Sequence, residues 1–355
     1  MGWVDGHWHA RDLPTQQHKE TVRHSLELAN ISGGQAIFAM PNTDPPLIDL
    51  ETCCAYLKLA DNVGVPVQFY VHIGLTPDVE QVKRAVEATR KEPRIVGMKA
   101  FWGRSTGNLS IINSDEQNNV LETLVKEGYN GVLVGHFEDE LEMDDQAYDP
   151  ANPITWSTKA RPESAEFFSF VIIKKMAKNL GFKGKLHVAH VSTREVVESV
   201  HVYTSGTRPY NVKLSCGVTP HHLFLDNSYL THPDGVWYKC NPPLRSPETQ
   251  QRLLQKLLAG QIPIIESDHA PHTEKDKMES VPASGIISGL AWPDMRGYLQ
   301  KIGMTEDRIR AVTFDNVVKL YGLEDRLQFE DRPVQWEVLK RMRTQYPHDP
   351  FRGVF

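Results

Sequence analysis

A (β/α)8 barrel, the TIM-barrel architecture, is predicted for this 355-residue chain by three observations. Eight short apolar runs alternate with helix-like stretches, metal-ligand residue types end several of those runs, and the length suits one barrel with insertions. The apolar runs fall near residues 3–7, 35–40, 66–73, 95–100, 131–136, 185–190, 211–217 and 262–268. Helical patterns fall near 16–30, 49–62, 77–91, 115–127, 162–179, 193–203, 247–259 and 284–300, one after each run.

The first run, Val4-Asp-Gly-His-Trp-His9, carries two imidazoles one residue apart. Positions i and i+2 of a strand face the same side, so His7 and His9 can reach one metal ion of zinc type. Later runs end in further polar residues. Lys99 closes Ile95-Val-Gly-Met-Lys99, His136 closes Val132-Leu-Val-Gly-His136, His190 closes Leu186-His-Val-Ala-His190, and Asp268 closes Ile262-Pro-Ile-Ile-Glu-Ser-Asp268. Six polar groups therefore converge on the C-terminal mouth of the strands, where barrels carry their sites.

The helices have readable ends. In Ser246-Pro-Glu-Thr the serine is an N-cap and Pro247 takes the first helical position; Leu253, Leu254, Leu257 and Leu258 form a stripe and Gly260 a stop. A helix is expected over 246–260. The irregular stretches Glu138 to Arg161 and Ser228 to Ser246 follow strands five and seven, so they are placed to line or cover the mouth. The expected organisation is a barrel over 1–322 and a C-terminal tail over 323–355 packed on it.

A net charge of -6 argues against a broad nucleic-acid surface. Four cysteines, Cys53 and Cys54 adjacent and none in a CxxC pair, indicate neither a disulfide framework nor a thiolate zinc site. No apolar run approaches the ~20 residues that span a bilayer, and no signal peptide is recognised before the first strand. The expectation is a cytoplasmic protein with no membrane or nucleic-acid partner.

Lys99 stands apart among the candidate ligands. An ammonium offers no lone pair to a metal, so it is either paired with an acidic neighbour or carboxylated to a carbamate, an anion able to bridge two cations. The segments around these positions form a series: His7-Trp-His-Ala-Arg11, Met40-Pro-Asn-Thr43, Lys99-Ala-Phe-Trp-Gly103, His136-Phe-Glu-Asp139, His187-Val-Ala-His-Val-Ser-Thr193, Thr219-Pro-His-His-Leu223, Asn241-Pro-Pro-Leu-Arg245 and Asp268-His-Ala-Pro-His-Thr273. In this order they resemble the motifs of dihydroorotases in the amidohydrolase superfamily, over roughly residues 3 to 300.

The resemblance implies two divalent metal ions of zinc type. His7, His9, Asp268 and carboxylated Lys99 would hold one; Lys99, His136 and His190 would hold the other, with a water or hydroxide between them. Asp268 would also shuttle the proton. The implied reaction is the reversible cyclisation of N-carbamoyl-L-aspartate to L-dihydroorotate, the third step of pyrimidine synthesis.

Arg11, Asn42 and His272 would take the substrate carboxylate; Arg11 lies two residues past His9, on the same strand face, with a fork that matches a carboxylate. Asn241 and backbone groups near Ala283 and Gly285 would read the ring edge. Thr106, within Gly103 to Leu109, is the candidate lid residue. The partner is a small-molecule substrate, with a homodimer or an assembly with aspartate transcarbamoylase beyond it. The alternatives are another cyclic amidohydrolase, of hydantoinase or allantoinase type, or a non-catalytic partner of aspartate transcarbamoylase.

Blander readings stand beside these. Arg11 can be a surface ion pair and Asn42 a turn residue before Asp44-Pro-Pro46. His187, out of phase with His190, is expected to face the helix layer, and His18, His24, His72, His201, His232 and His348 belong to no constellation. His221 and His222 read as structural support, Phe101 and Trp102 as packing. The first strand begins at Trp3 and Gln328 to Phe355 lacks alternating strands, so a barrel without a complete accessory β-sandwich is expected.

Overall fold

The computed structural model describes residues 2–105, 108–206 and 212–355. Strands β1 (Trp3–Trp8), β2 (Gly34–Ala39), β3 (Gln68–Gly74), β4 (Ile95–Phe101), β5 (Val132–His136), β6 (Lys185–Val188), β7 (Lys213–Val218) and β8 (Ile264–Ile265) pair in parallel in chain order. Between β8 and β1 the ring is completed by a parallel bridge of Trp8 with His269, and the His9 N–H donates to the His269 carbonyl at 2.9 Å. The architecture is the (β/α)8 barrel.

Strands covered on both sides are mostly apolar, and β2, Gly-Gln-Ala-Ile-Phe-Ala, is buried at every position, its one polar side chain, Gln35, donating to the Gln328 carbonyl at 2.7 Å. On the outer face of β1, Trp3 stacks on Trp292 at 4.7 Å between centroids and on Trp8 at 6.3 Å. This ladder ties β1 to the helix Trp292–Lys301. At the opposite end from the mouth, Val4, Ala36, Phe38 and Tyr70 pack against Phe314, Val317 and Val318. The barrel floor is thus plugged by the run of helical turns Glu306–Arg310, Ala311–Asp315 and Asn316–Tyr321, which the sequence pattern did not suggest.

Helix starts follow their caps. The first helix begins at Val22 rather than near 16, because Thr21 accepts from the His24 N–H while residues 13–19 are occupied by tight turns closed on the Leu13 and Gln16 carbonyls. Ser246 caps Pro247–Leu258 as expected. The last expected helix, 284–300, begins only at Trp292; residues 284–287 run along the mouth instead. In the tail, Trp336–Arg343 forms a helix that buries Leu339 and Met342 against the barrel's outer core, and Leu323 and Leu327 extend the floor plug.

Candidate metal centre and substrate pocket

His7, in β1, and His9, just beyond it, both turn toward the carboxylate of Asp268, their Nε2 atoms 3.3 Å and 2.9 Å from Oδ1. Asp268 follows β8 with a left-handed φ of 50°, and His190 follows β6 with a φ of 42°. Non-glycine residues are rare in that region, and here they aim side chains across the mouth instead of along the sheet. The His190 ring lies 5.0 Å from His7 and 4.9 Å from His136, whose Nδ1 stands 3.2 Å from His190 Nε2.

Lys99 is fully buried in β4, and its Nζ has no hydrogen-bond partner. Burial pushes its pKa down to about 8, against the opposing pull of the Asp268 and Glu266 charges. The five other expected ligands are buried with it. Burial also lowers the pKa values of His7, His9, His136 and His190, with the Lys99 charge adding to each. Neutral imidazoles, one carboxylate and an unpartnered buried amine therefore meet in one place. That donor set fits divalent metals: His7, His9 and Asp268 form one group, and His136 and His190 extend it.

The cavity above the donors is lined among others by Arg11, Asn42, Asn241, Ser284 and Gly285. Arg11 is 2 % exposed, which removes the reading of a surface ion pair. Among the described residues it forms no ion pair with a carboxylate, and its Nε has no hydrogen-bond partner. Its Nη2 lies 3.4 Å from Nε2 of His272, which is itself 3.1 Å from the Ser284 carbonyl. Ala283 lies on an adjoining groove rather than on this cavity. Phe101, expected as packing at the barrel mouth, is buried there at the edge of the cavity, and Trp102 packs in the core. Thr106 lies outside the described residues.

Two histidine readings are corrected. His187 does not face the helix layer: its Nε2 is 3.2 Å from Oε2 of Glu266, and Glu266 also accepts the His190 backbone N–H at 2.7 Å. Glu266 points into the barrel, where a Cβ on Gly217 would come within 2.4 Å of its carboxyl carbon. His72 likewise joins a group, its Nε2 2.9 Å from the Tyr321 hydroxyl rising from the floor plug. A polar layer thus lies under the donors. His221 and His222 are buried and bonded to Ser288 Oγ, Thr219 Oγ1 and the Pro242 carbonyl.

Several supporting residues carry no role in the sequence pattern itself. Glu138 Oε2 is 2.8 Å from Nε2 of His136, and Arg161 Nη1 donates to the same oxygen at 2.5 Å. Glu20, wholly buried, takes His269 Nε2 at 3.1 Å and the Tyr346 hydroxyl at 2.6 Å, linking the tail to the residue after Asp268.

Comparisons with known proteins agree with this geometry. No family model matches the chain. It is 32% identical over 316 residues to a dihydroorotase of Pediococcus pentosaceus, covering 85% of this chain and 68% of that protein. Over 329 residues it is 30% identical to a dihydroorotase of Pyrobaculum aerophilum, covering 90% and 70%. Among solved structures, an L-hydantoinase from Arthrobacter aurescens superposes with a TM-score of 0.78 at 23% identity, covering 94% of this chain and 73% of that one. A Saccharomyces cerevisiae dihydroorotase in complex with 5-fluoroorotic acid gives 0.70 at 17%, covering 93% and 85%. The structural likenesses, at these identities, speak for the fold.

Proposed function

The chain belongs to the dihydroorotase family of cyclic amidohydrolases, and from that membership we propose that it interconverts N-carbamoyl-L-aspartate and L-dihydroorotate in pyrimidine synthesis. The observation that carries the substrate choice is Arg11. A buried guanidinium with no carboxylate partner among the described residues, opening beside the histidine and aspartate donors, calls for an anionic group on the substrate. Dihydroorotate has a ring carboxylate; hydantoin and allantoin lack one.

His7, His9 and Asp268 would hold one zinc-type ion, His136 and His190 the second, and Lys99 as a carbamate would join them. Forming the carbamate requires the uncharged amine: its lone pair adds to the carbon of carbon dioxide and a proton leaves the nitrogen. The low-dielectric position of Lys99 favours that uncharged form. When bound, the two ions supply Lewis acidity to the amide carbonyl and make water a nucleophile near neutral pH.

The remaining steps belong to the side chains. Arg11 and Asn42, with His272 beside Arg11, seat the carboxylate so that the ring amide faces the donors, and Asn241 with the backbone at Gly285 reads the ring edge, Ala283 standing back on the adjoining groove. Asp268 accepts the proton of the attacking water through its carboxylate and delivers it to the departing amide nitrogen. Cyclisation is the reverse: the carbamoyl nitrogen loses a proton to Asp268, attacks the side-chain carboxyl carbon, and water leaves.

The test is ring opening of dihydroorotate, hydantoin and allantoin by one preparation, with metal content measured on the same sample. Preference for dihydroorotate with two metals per chain is expected. Preference for hydantoin would move the assignment to that branch, and a metal-free, inactive protein would favour a scaffold role. Gel filtration with and without aspartate transcarbamoylase tests the homodimer and that assembly.

A further inference from the structure

Two buried lysines stand behind the wall of the substrate cavity, and the reaction as described uses neither. Lys239 is 4 % exposed and Lys277 1 %. Neither has an ion-pair partner among the described residues. Lys239 Nζ donates to the Pro282 carbonyl at 2.8 Å and to Ser284 Oγ at 2.9 Å, and lies 3.6 Å from the ring centroid of Trp156. Lys277 Nζ donates to the Gly285 carbonyl at 2.6 Å and to the Lys239 carbonyl at 3.3 Å. The Gly285 N–H in turn donates to the Lys239 carbonyl at 2.8 Å.

All but the Lys277 bond to the Lys239 carbonyl converge on one short segment, Pro282 to Gly285. Ser284 and Gly285 line the cavity, and the Ser284 carbonyl meets His272, the neighbour of Arg11. The segment has no strand or helix of its own. It is also tightly seated, since a Cβ on Gly285 would fall 2.6 Å from the Ala270 carbonyl oxygen and 2.9 Å from the His272 ring. Placing two amines side by side out of water is costly, and apolar residues of the same length would fill the space without that cost. Burial pushes both pKa values down to about 7, Arg161 adding to the effect on Lys239 and Lys239 to that on Lys277. What the amines provide, and apolar chains would not, is donors for four oxygen acceptors around an otherwise irregular wall.

We propose that Lys239 and Lys277 are positioning residues for substrate recognition, holding the Pro282–Gly285 backbone in the shape that the substrate ring is read against. The inference rests on the proposed cyclic-amide reaction. The lysines' hydrogen bonds reach no metal ligand, so their loss acts on binding rather than on metal retention.

The test compares Lys239→Met, Lys277→Met and Ser284→Ala with the parent. In each folded lysine variant KM for dihydroorotate should rise tenfold or more, with kcat within about threefold and metal content unchanged. Ser284→Ala, which removes one acceptor and leaves both lysines, should show a smaller KM rise and faster amide exchange at Gly285. Folded lysine variants with unaltered KM would overturn the proposal. Should the methionine variants not fold, unchanged KM and unchanged Gly285 exchange in Ser284→Ala would overturn it equally. A parent that opens hydantoin in preference to dihydroorotate defeats the reaction assignment alone, and the same KM comparison is then run on hydantoin.

Discussion

The carboxylate of Glu138 lies 2.8 Å from Nε2 of His136, and this contact fixes which nitrogen of that imidazole is free for a metal. With Nε2–H donated to Glu138, the lone pair sits on Nδ1, the atom 3.2 Å from His190 Nε2. Arg161, buried against the same carboxylate, keeps it ionised: its charge and the His136 contact hold the Glu138 pKa down at about 2, overcoming the effect of burial.

Replacing Glu138 by Gln removes that charge, permits the opposite orientation of the imidazole and leaves Arg161 with Asp145 as its remaining carboxylate partner among the described residues. Metal affinity at the His136 and His190 position should fall ~10–100-fold, the usual effect of losing a partner behind a ligating histidine. Titration with a competing chelator reads it. Equal affinity in parent and Glu138→Gln would mean that the contact does not orient the ligand.

This pair shows what the sequence could and could not reveal. His7, His136 and Asp268 end apolar runs, a pattern set by local chain geometry and therefore readable. Glu138 and Arg161 bound the loop expected to line the mouth, yet their contact spans 23 residues and depends on how the loop folds back. His187 departs from its expected face for a different reason. Strand alternation does not relate it to His190, because β6 ends at Val188 and His190 has a φ of 42°. The floor plug has no periodic signature, because the turns of 306–321 pack Phe314, Val317 and Val318 into the barrel rather than along one helical stripe.

Buried neutral histidines make the protein acid-sensitive. Burial, the largest cause in each case, lowers His72 to about 3, His222 to about 4 and His272 to about 3, from an ordinary value of 6.5. The unfolded chain therefore binds protons first as pH falls. The stability that these three histidines contribute is full above about pH 6.5 and is lost progressively between that value and their folded pKa values of about 3 to 4. Thermal melts of chelator-treated protein should show Tm declining steadily below pH 6.5. A Tm constant from pH 7 to 4 contradicts the assignment of these histidines as neutral.

Lys99→Ala tests the proposed bridge. The side chain is fully buried among the donors with an unpartnered Nζ, so its removal leaves a cavity where the carbamate would stand. Metal content and turnover should fall together, and formate or acetate, small enough to enter that cavity, should restore part of both. Two metals per chain and normal turnover in Lys99→Ala would rule out a lysine-bridged pair.

Arg11→Met tests the choice of substrate. Methionine retains much of the length of the arginine stem while removing the charge and the fork that faces the cavity. Loss of the partner to a partly desolvated carboxylate typically costs ~2–5 kcal/mol. Since about 1.4 kcal/mol is tenfold, kcat/KM for dihydroorotate should fall by ~10²-fold or more. Slow opening of dihydrouracil, the same ring without its carboxylate, should hardly change, because nothing on that substrate meets Arg11. The left-handed φ of 59° at Arg11 and the Tyr56 hydroxyl bonded to its carbonyl at 2.8 Å concern backbone alone, so the substitution leaves both in place. Equal loss on both substrates would assign Arg11 to support of the metal centre through its neighbour His9, and the case for a carboxylate-bearing substrate would then rest on family membership alone.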